Sequence, residues 1–145
     1  MADTFHLLFV CTGNSCRSPM AEALLRKTLG KSGRSNVTVS SAGTMPPVGM
    51  PPTSEALVVM TERGADMRHH RARMVNPQMV QASDLVLVME KRHQQWLNRM
   101  APGAKKKIHL MKSFGQEGRD AGIEDRSLFA GSASARFCKI GRVDI

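Results

Sequence analysis

The sequence predicts an α/β fold in which parallel strands alternate with helices joined by right-handed crossovers. Two short apolar runs, Phe5 to Val10 and Leu85 to Met89, are too continuous for half-exposed strands, so they predict strands buried on both faces of a sheet. Segments with apolar residues at helical spacing follow both runs. The 145 residues, of which 41% are apolar and 23% charged, suit one compact domain over residues 1–145.

The first half of the chain predicts strand, tight loop, helix and second strand in that order. A polar loop follows the first strand and leads to Ser18-Pro19, which is a helix-start signal. Gly30 to Asn36 predicts a loop, and Val37 to Val39 a second strand. Residues 43–52, with four prolines and two glycines, predict an irregular surface segment.

The second half repeats the alternation of helices and strands. Thr53 or Ser54 is the predicted cap of a helix that ends near Gly64. Pro77 opens a short helix, and the second apolar run leads into a helix from Lys91 to Met100. The remaining predicted elements are a fourth strand from Lys107 to Met111, a long loop from Gly115 to Gly131 and a final helix from Ser132 to Val143.

Composition and charge exclude several classes of protein. Three cysteines do not form the framework of a disulfide-stapled secreted domain, so we expect a reducing, cytoplasmic location. No apolar run approaches the roughly 20 residues needed to cross a bilayer, so we expect no membrane span. The net charge of +9 is concentrated in residues 63–113, which carry 11 basic and 3 acidic side chains. An aromatic content of 4% argues against nucleic-acid binding, and the spacing of Cys and His residues argues against a metal site.

The segment from Cys11 to Ser18 carries the predicted chemistry, because ligands of such sheets bind at the carboxyl ends of the strands. The backbone N–H groups of a tight loop and the N-terminus of the following helix both favour negative charge there. Such surroundings stabilise a thiolate at Cys11, as a cysteine nucleophile at neutral pH requires. The planar guanidinium of Arg17 can hold two oxygens of a tetrahedral anion, and Ser18 can donate a hydrogen bond to the sulfur. The loop therefore predicts in-line attack on a phosphoryl group and a covalent phosphocysteine intermediate.

The stretch from Val10 to Glu22, VCTGNSCRSPMAE, resembles the signature of the low-molecular-weight protein tyrosine phosphatases. The similarity continues through residues 41–44, 70–73 and 82–89 and covers the chain to about residue 113. The resemblance implies a four-stranded parallel sheet flanked by helices on both faces, in a Rossmann-like three-layer fold, and the hydrolysis of phosphotyrosine in proteins. It also implies no cofactor, a phosphorylated protein as substrate, phosphate or another oxyanion as product or inhibitor, and a monomer or weak dimer.

The resemblance assigns roles to single residues. Cys11 is the implied nucleophile, Arg17 the phosphate clamp and Ser18 the donor to the thiolate. The residues implied to bind phosphate are Thr12, Gly13, Asn14, Ser15, Cys16, Arg17 and Ser18. The implied hydrogen-bonded group that holds the loop in shape consists of Asn14, Ser41 and His70. His69 takes the place of His70 if the correspondence shifts by one residue.

Two further roles rest on the same resemblance. In the family a reversible disulfide between the residues at positions 11 and 16 protects the nucleophile from over-oxidation, which gives Cys16 a redox role. The family takes its general acid from a late Asp that Pro and an aromatic residue follow, and here the candidate is Asp125, with Asp120 as the second choice. Asp125 is followed by Arg126 and Ser127 instead. The altered loop leaves open the alternative of a slow or inactive relative that binds phosphate.

The substrate also has two alternatives. Many tyrosine-specific members of the family carry a bulky apolar residue at the position of Ser15, whereas its bacterial protein-arginine phosphatases carry Thr there. Ser15 is small and polar, so a protein-arginine phosphatase stands as the alternative to a tyrosine phosphatase. The basic segment 63–113 is expected to attract acidic or phosphorylated proteins.

Overall fold

The sheet is the four-stranded parallel sheet that the sequence predicts. A computed structural model describes residues 4–33 and 35–115, and within them the strands have the order β2-β1-β3-β4 with every neighbouring pair parallel. The strands are β1 (Phe5–Cys11), β2 (Val37–Gly43), β3 (Leu85–Val88) and β4 (Ile108–Leu110). The predicted final helix and both candidate acids, Asp120 and Asp125, lie outside the described residues.

Five helices connect and flank the strands in the described part of the chain. They are α1 (Arg17–Lys31), α2 (Ser54–Glu62), α3 (Pro77–Ala82), α4 (Lys91–Met100) and α5 (Lys112–Gly115), with a 3-10 helix over Pro102–Lys107. The predicted cap of α2 is confirmed, because the Thr53 hydroxyl oxygen accepts a hydrogen bond from the Ala56 N–H at 3.2 Å. None of these helices has the length and apolar character needed to cross a bilayer.

The two faces of the sheet pack against different helices. Leu7 and Phe9 of β1 belong to an apolar cluster on one face, together with Ala21 of α1. Leu8 and Val10 point to the other face, into a cluster that also contains Val80 of α3 and Leu97 of α4. Successive residues of a strand point to opposite faces, so the continuous apolar run of β1 is the pattern of a sheet covered on both sides. The three-layer prediction is thereby confirmed.

Several boundaries differ from the sequence predictions. β2 continues beyond Val39 to Gly43, because its parallel pairing with β1 persists as far as Cys11 opposite Gly43. Gly43 is therefore strand and not the start of the irregular segment. Helix α1 begins at Arg17, before the predicted start signal, and ends at Lys31, past the predicted loop start. Residue Gly115, the predicted start of a long loop, is the last residue of α5.

The carboxyl end of β1 is a topological switch point. β1 lies in the middle of the sheet, with β2 on one side and β3 on the other. The chain leaves β1 through α1 toward β2, while β3 and β4 build the opposite half. In sheets of this kind the crevice for ligands opens where the strand order reverses, so the fold places Cys11 at the expected binding position.

Candidate active site

The loop after β1 wraps around the sulfur of Cys11. Among the described residues other than glycine, Asn14 alone has a positive φ, at 50°. At this left-handed residue the backbone N–H donates to Cys11 Sγ at 3.2 Å. Cys11 is a free thiol and its residue is 2% exposed, so the sulfur lies at the bottom of a loop of inward-facing donors.

The Ser18 hydroxyl is arranged to donate to the sulfur. Its oxygen lies 3.0 Å from Cys11 Sγ and accepts a hydrogen bond from Asn14 Nδ2 at 2.8 Å. Because the Asn14 amide supplies a proton to that oxygen, the hydroxyl's own proton is directed to the sulfur or to the more distant Ala42 carbonyl at 3.4 Å. The predicted donor role of Ser18 fits this geometry, and a thiolate at Cys11 would receive two hydrogen bonds.

Asn14 is the centre of the group that holds the loop. Its amide nitrogen also donates to Ser41 Oγ at 3.0 Å, and its amide oxygen accepts from the Arg73 N–H at 2.9 Å. His70 Nε2 lies 2.8 Å from the Asn14 carbonyl oxygen and donates to it. The structure thus brings Asn14, Ser41 and His70 together. The contact with the Asn14 carbonyl oxygen is made by His70 and not by His69. Every polar group of Asn14 is bonded, which offsets the strain of its left-handed backbone.

Neighbouring residues support this group from β2 and α1. The Ser41 hydroxyl donates to Glu22 Oε1 at 2.6 Å, and so α1 fixes the second partner of Asn14. A Cβ added to Gly43 would lie 2.5 Å from the Thr12 carbonyl oxygen and 3.1 Å from the Asn14 N atom. The loop backbone therefore packs directly on Gly43, which explains why the residue at this point of β2 has no side chain.

Arg17 is held by a carboxylate that the sequence analysis did not identify. Its Nη1 donates to Glu90 Oε2 at 2.6 Å, and the Arg17 side chain is 19% exposed. Burial raises the pKa of Glu90, but the hydrogen bond and the positive charge of Arg17, with help from Arg92, outweigh it and hold the pKa below its ordinary value. Glu90 thus engages one N–H of the guanidinium, and the expected phosphate clamp would use other N–H groups of the same planar fork.

A second unpredicted residue, His93, contacts the start of the loop. Its Nε2 lies 2.8 Å from Thr12 Oγ1, and its Nδ1 accepts from the Glu90 N–H at 3.1 Å. The residue is 1% exposed. Burial, followed by the positive charge of Arg17, lowers the pKa of His93 to about 4, so the ring is neutral at neutral pH.

The site opens into a cavity of about 240 Å³. Its walls are formed by Cys11, Gly13, Asn14, Ser15, Cys16, Arg17, Thr53 and Glu55. The Ser15 hydroxyl folds back onto the Gly13 carbonyl oxygen at 3.1 Å. A larger cavity of about 420 Å³ is lined by His70, the partner of the Asn14 carbonyl, but neither Cys11 nor Arg17 lines it. The smaller cavity is therefore the candidate active site.

The expected disulfide between Cys11 and Cys16 is not formed in this structure. Cys11 is a free thiol, and the disulfide in which Cys16 takes part therefore does not involve Cys11. Cys16 still lines the cavity and precedes the first residue of α1. Cys16 is thus part of the cavity wall but is not paired with the nucleophile.

The phosphate loop and the strands and helices around it are typical of one protein family. Residues 6–140 match the sequence model described as low molecular weight phosphotyrosine protein phosphatase. The chain belongs to this phosphatase family. The match includes the whole phosphate loop, from Cys11 to Ser18, together with all of α1 and β2.

Bacterial proteins named as phosphatases of this family are similar in sequence. A probable low molecular weight protein-tyrosine-phosphatase, EpsP of Ralstonia nicotianae, is 44% identical over 84 residues, which are 58% of this chain. That match spans 54% of EpsP, about half of its length. The phosphatase Etp of Escherichia coli K12 is 38% identical over 110 residues, which are 76% of this chain and 69% of Etp.

Solved structures of the phosphatase family have the same fold. The low molecular weight protein tyrosine phosphatase from T. tengcongensis has a TM-score of 0.78 at 35% identity and covers 94% of this chain and 90% of its own. Vibrio vulnificus Wzb, solved in complex with benzylphosphonate, has a TM-score of 0.76 at 31% identity, with coverages of 96% and 90%. The YwlE arginine phosphatase from Geobacillus stearothermophilus has a TM-score of 0.74 at 30% identity, with coverages of 94% and 82%.

The sequence predicts the phosphate loop but not the two site residues that follow β3. Glu90 and His93 come directly after the carboxyl end of β3, the strand next to β1. The carboxyl ends of parallel strands meet at one edge of a sheet, so the rule that located the loop also applies to this segment. That rule, used on the second apolar run, is the signal that could have found both residues.

Proposed function

We propose that the protein is a phosphatase that hydrolyses phosphotyrosine in proteins through a phosphocysteine intermediate. The observation that carries this proposal is the position of Cys11 Sγ at the cavity, 3.2 Å from the Asn14 N–H nitrogen and 3.0 Å from the Ser18 hydroxyl oxygen. Donors that stabilise a thiolate make cysteine a nucleophile at neutral pH. Because that chemistry needs a reduced thiol, we propose that the protein acts in the cytoplasm.

In the first step the Cys11 thiolate attacks phosphorus. The new S–P bond forms as the P–O bond to the tyrosine ring breaks, and its electron pair goes to the phenolic oxygen. That oxygen takes a proton from the general acid, which we assign to Asp125 on the family resemblance. Arg17 and the loop N–H groups hold the three equatorial oxygens, where charge is largest in the transition state.

In the second step water attacks the phosphocysteine. The Asp125 carboxylate, left by the first step, takes a proton from the water, a P–O bond forms and the S–P bond breaks. The electron pair returns to sulfur, inorganic phosphate leaves, and the thiolate is restored. Both steps balance without a metal ion or a cofactor.

Replacing the proposed acid tests this function. We expect wild-type protein to hydrolyse p-nitrophenyl phosphate in EDTA, and Asp125→Asn to lower kcat about 10²-fold or more. The loss should be larger for phenyl phosphate, because phenolate is the poorer leaving group and depends more on the donated proton. The matched control is Asp120→Asn, expected to stay within about threefold of wild type.

Three results would change the proposal. Loss of turnover in Asp120→Asn instead of Asp125→Asn would move the acid to Asp120. An equal loss for both substrates would mean that Asp125 does not donate the proton. A wild-type protein that binds phosphate without turnover would be a phosphate-binding relative, the alternative that the altered loop leaves open.

A second candidate function, protein-arginine phosphatase, is favoured by the mouth of the cavity. Glu55 lines the same cavity as Cys11 and Arg17, and Ser15 leaves the wall small and polar. None of the ion pairs within residues 4–33 and 35–115 involves Glu55. A carboxylate beside a phosphate site repels the anion, whereas the guanidinium of phosphoarginine would pair with it. YwlE, one of the structural neighbours, is an arginine phosphatase.

The two functions are separated by matched peptides that differ in phosphotyrosine or phosphoarginine. We expect the phosphotyrosine peptide to have the higher kcat/KM in the wild type. Glu55→Gln should lower the phosphoarginine-to-phosphotyrosine ratio of kcat/KM about two- to fivefold, as for a partly screened charge pair. Glu62→Gln, at the other end of α2, is the control and should leave the ratio unchanged. A wild-type preference for phosphoarginine that Glu55→Gln reduces would establish the second function.

A further inference from the structure

The first turn of α4 reaches both ends of the phosphate loop. His93 Nε2 contacts Thr12 Oγ1 at 2.8 Å, and Thr12 is the residue directly after the nucleophile. Glu90 Oε2 accepts from Arg17 at 2.6 Å, and Arg17 is the residue at which the loop becomes helix. A single helical turn therefore ties the beginning of the loop to its end.

His93 also fixes the residue that holds Arg17. The Glu90 N–H donates to His93 Nδ1 at 3.1 Å, so the ring anchors the backbone from which the Glu90 carboxylate projects. His93 is 1% exposed and both of its ring nitrogens are bonded. Water cannot replace these contacts without opening the packing around the ring.

The hydrogen-bond pattern defines the tautomer of His93. Because Nδ1 accepts from a backbone N–H, the proton of the neutral ring is on Nε2, which donates to Thr12 Oγ1. The Thr12 hydroxyl proton then remains for another acceptor. Burial and the charge of Arg17, which lower the pKa of His93 to about 4, keep the ring in this neutral form at neutral pH.

We propose that His93 is a positioning residue, which sets Thr12 directly and Arg17 through Glu90 in the arrangement that binds the transition state. The proposal rests on the proposed phosphatase function. A long arginine side chain that must bind a phosphoryl group in one geometry gains from being held there before the substrate arrives. An error of about 1 Å in such a group can cost about 10²-fold in rate.

Variants of His93 separate its two contacts. His93→Ala removes both, and we expect kcat for p-nitrophenyl phosphate to fall about tenfold to hundredfold with KM within about threefold of wild type. His93→Gln places an amide N–H near the position of Nε2, and His93→Asn places an amide oxygen near the position of Nδ1. Each should restore part of the lost rate, because each restores one contact.

A double-mutant cycle tests the contact from the loop side. Thr12→Val removes the same hydrogen bond, so this contact can be tested even if the His93→Ala protein does not fold. We expect His93→Ala and Thr12→Val to be non-additive in kcat, so that the double variant is no worse than about threefold below the slower single one. His6→Gln, at the opposite end of β1, is the histidine control, and circular dichroism checks the fold of each variant.

Vanadate binding distinguishes this proposal from the function on which it rests. Vanadate takes the five-coordinate geometry of the transition state, and its affinity is measured without turnover. We expect His93→Ala to weaken vanadate about tenfold more than it weakens inorganic phosphate. No wild-type turnover would contradict the phosphatase function alone. A folded His93→Ala protein with wild-type kcat and equal losses for both ligands, or an additive cycle, would overturn the positioning role.

Discussion

Cys11→Ser is expected to abolish turnover while the loop still binds phosphate. Serine keeps a hydrogen-bonding atom where Asn14 N–H and the Ser18 hydroxyl now meet the sulfur. The serine hydroxyl is not ionised at neutral pH, however, so the variant loses the nucleophile but keeps the phosphate-binding loop. We expect kcat for p-nitrophenyl phosphate to fall about 10⁴-fold or more.

Phosphate-dependent stability provides the control for Cys11→Ser. A ligand that binds the folded state raises Tm by mass action, so the variant and the wild type should show similar increases with inorganic phosphate. A variant with more than about 1% of wild-type activity would contradict the assignment of Cys11 as nucleophile. A variant that has lost both activity and phosphate binding would show damage to the loop instead.

Arg17→Lys has the second largest expected effect. Lysine keeps the positive charge but not the planar fork that binds two phosphoryl oxygens while a further N–H pairs with Glu90. We expect kcat/KM to fall about 10³-fold, as on removal of a donor that acts on transition-state charge. Steady-state kinetics with p-nitrophenyl phosphate measures the change.

The matched control for Arg17→Lys lies at the far end of α4. Arg99 is exposed in the last turn of that helix, whereas the site contacts the first turn, so Arg99→Lys should stay within about twofold of wild type. A loss below about tenfold in Arg17→Lys would mean that charge alone suffices. The assignment of bidentate phosphate binding to Arg17 would then be wrong.

The elements that could be predicted from the sequence are those with local signals. The continuous apolar runs locate β1 and β3, and the polar loop with its helix-start signal locates the phosphate site. The family resemblance predicts Asn14 and Ser41, and the Asn14 amide nitrogen donates directly to Ser41 Oγ at 3.0 Å. Each lies near the carboxyl end of a strand or in the loop that follows it, where the local sequence pattern is sufficient to predict the structure.

The remaining features depend on contacts between distant segments. The choice between His69 and His70 rests on which ring meets the Asn14 carbonyl, and neither residue carries a local pattern that decides it. Glu55 lines the cavity, and it follows an irregular segment rich in glycine and proline. The path of such a segment cannot be predicted from sequence periodicity. Glu90 and His93 matter because β3 lies beside β1, a pairing between residues almost 80 positions apart.

The proposed mechanism depends on a covalent intermediate on Cys11. Rapid quenching of the wild-type protein with ³²P-labelled phosphotyrosine peptide in acid, followed by peptide mapping, measures it directly. We predict one labelled peptide, the one that contains Cys11, with the label absent from Cys11→Ser and accumulating in Asp125→Asn if the second step slows more than the first. Turnover by the wild type without label on Cys11, under conditions where label on another residue is detected, would contradict the account.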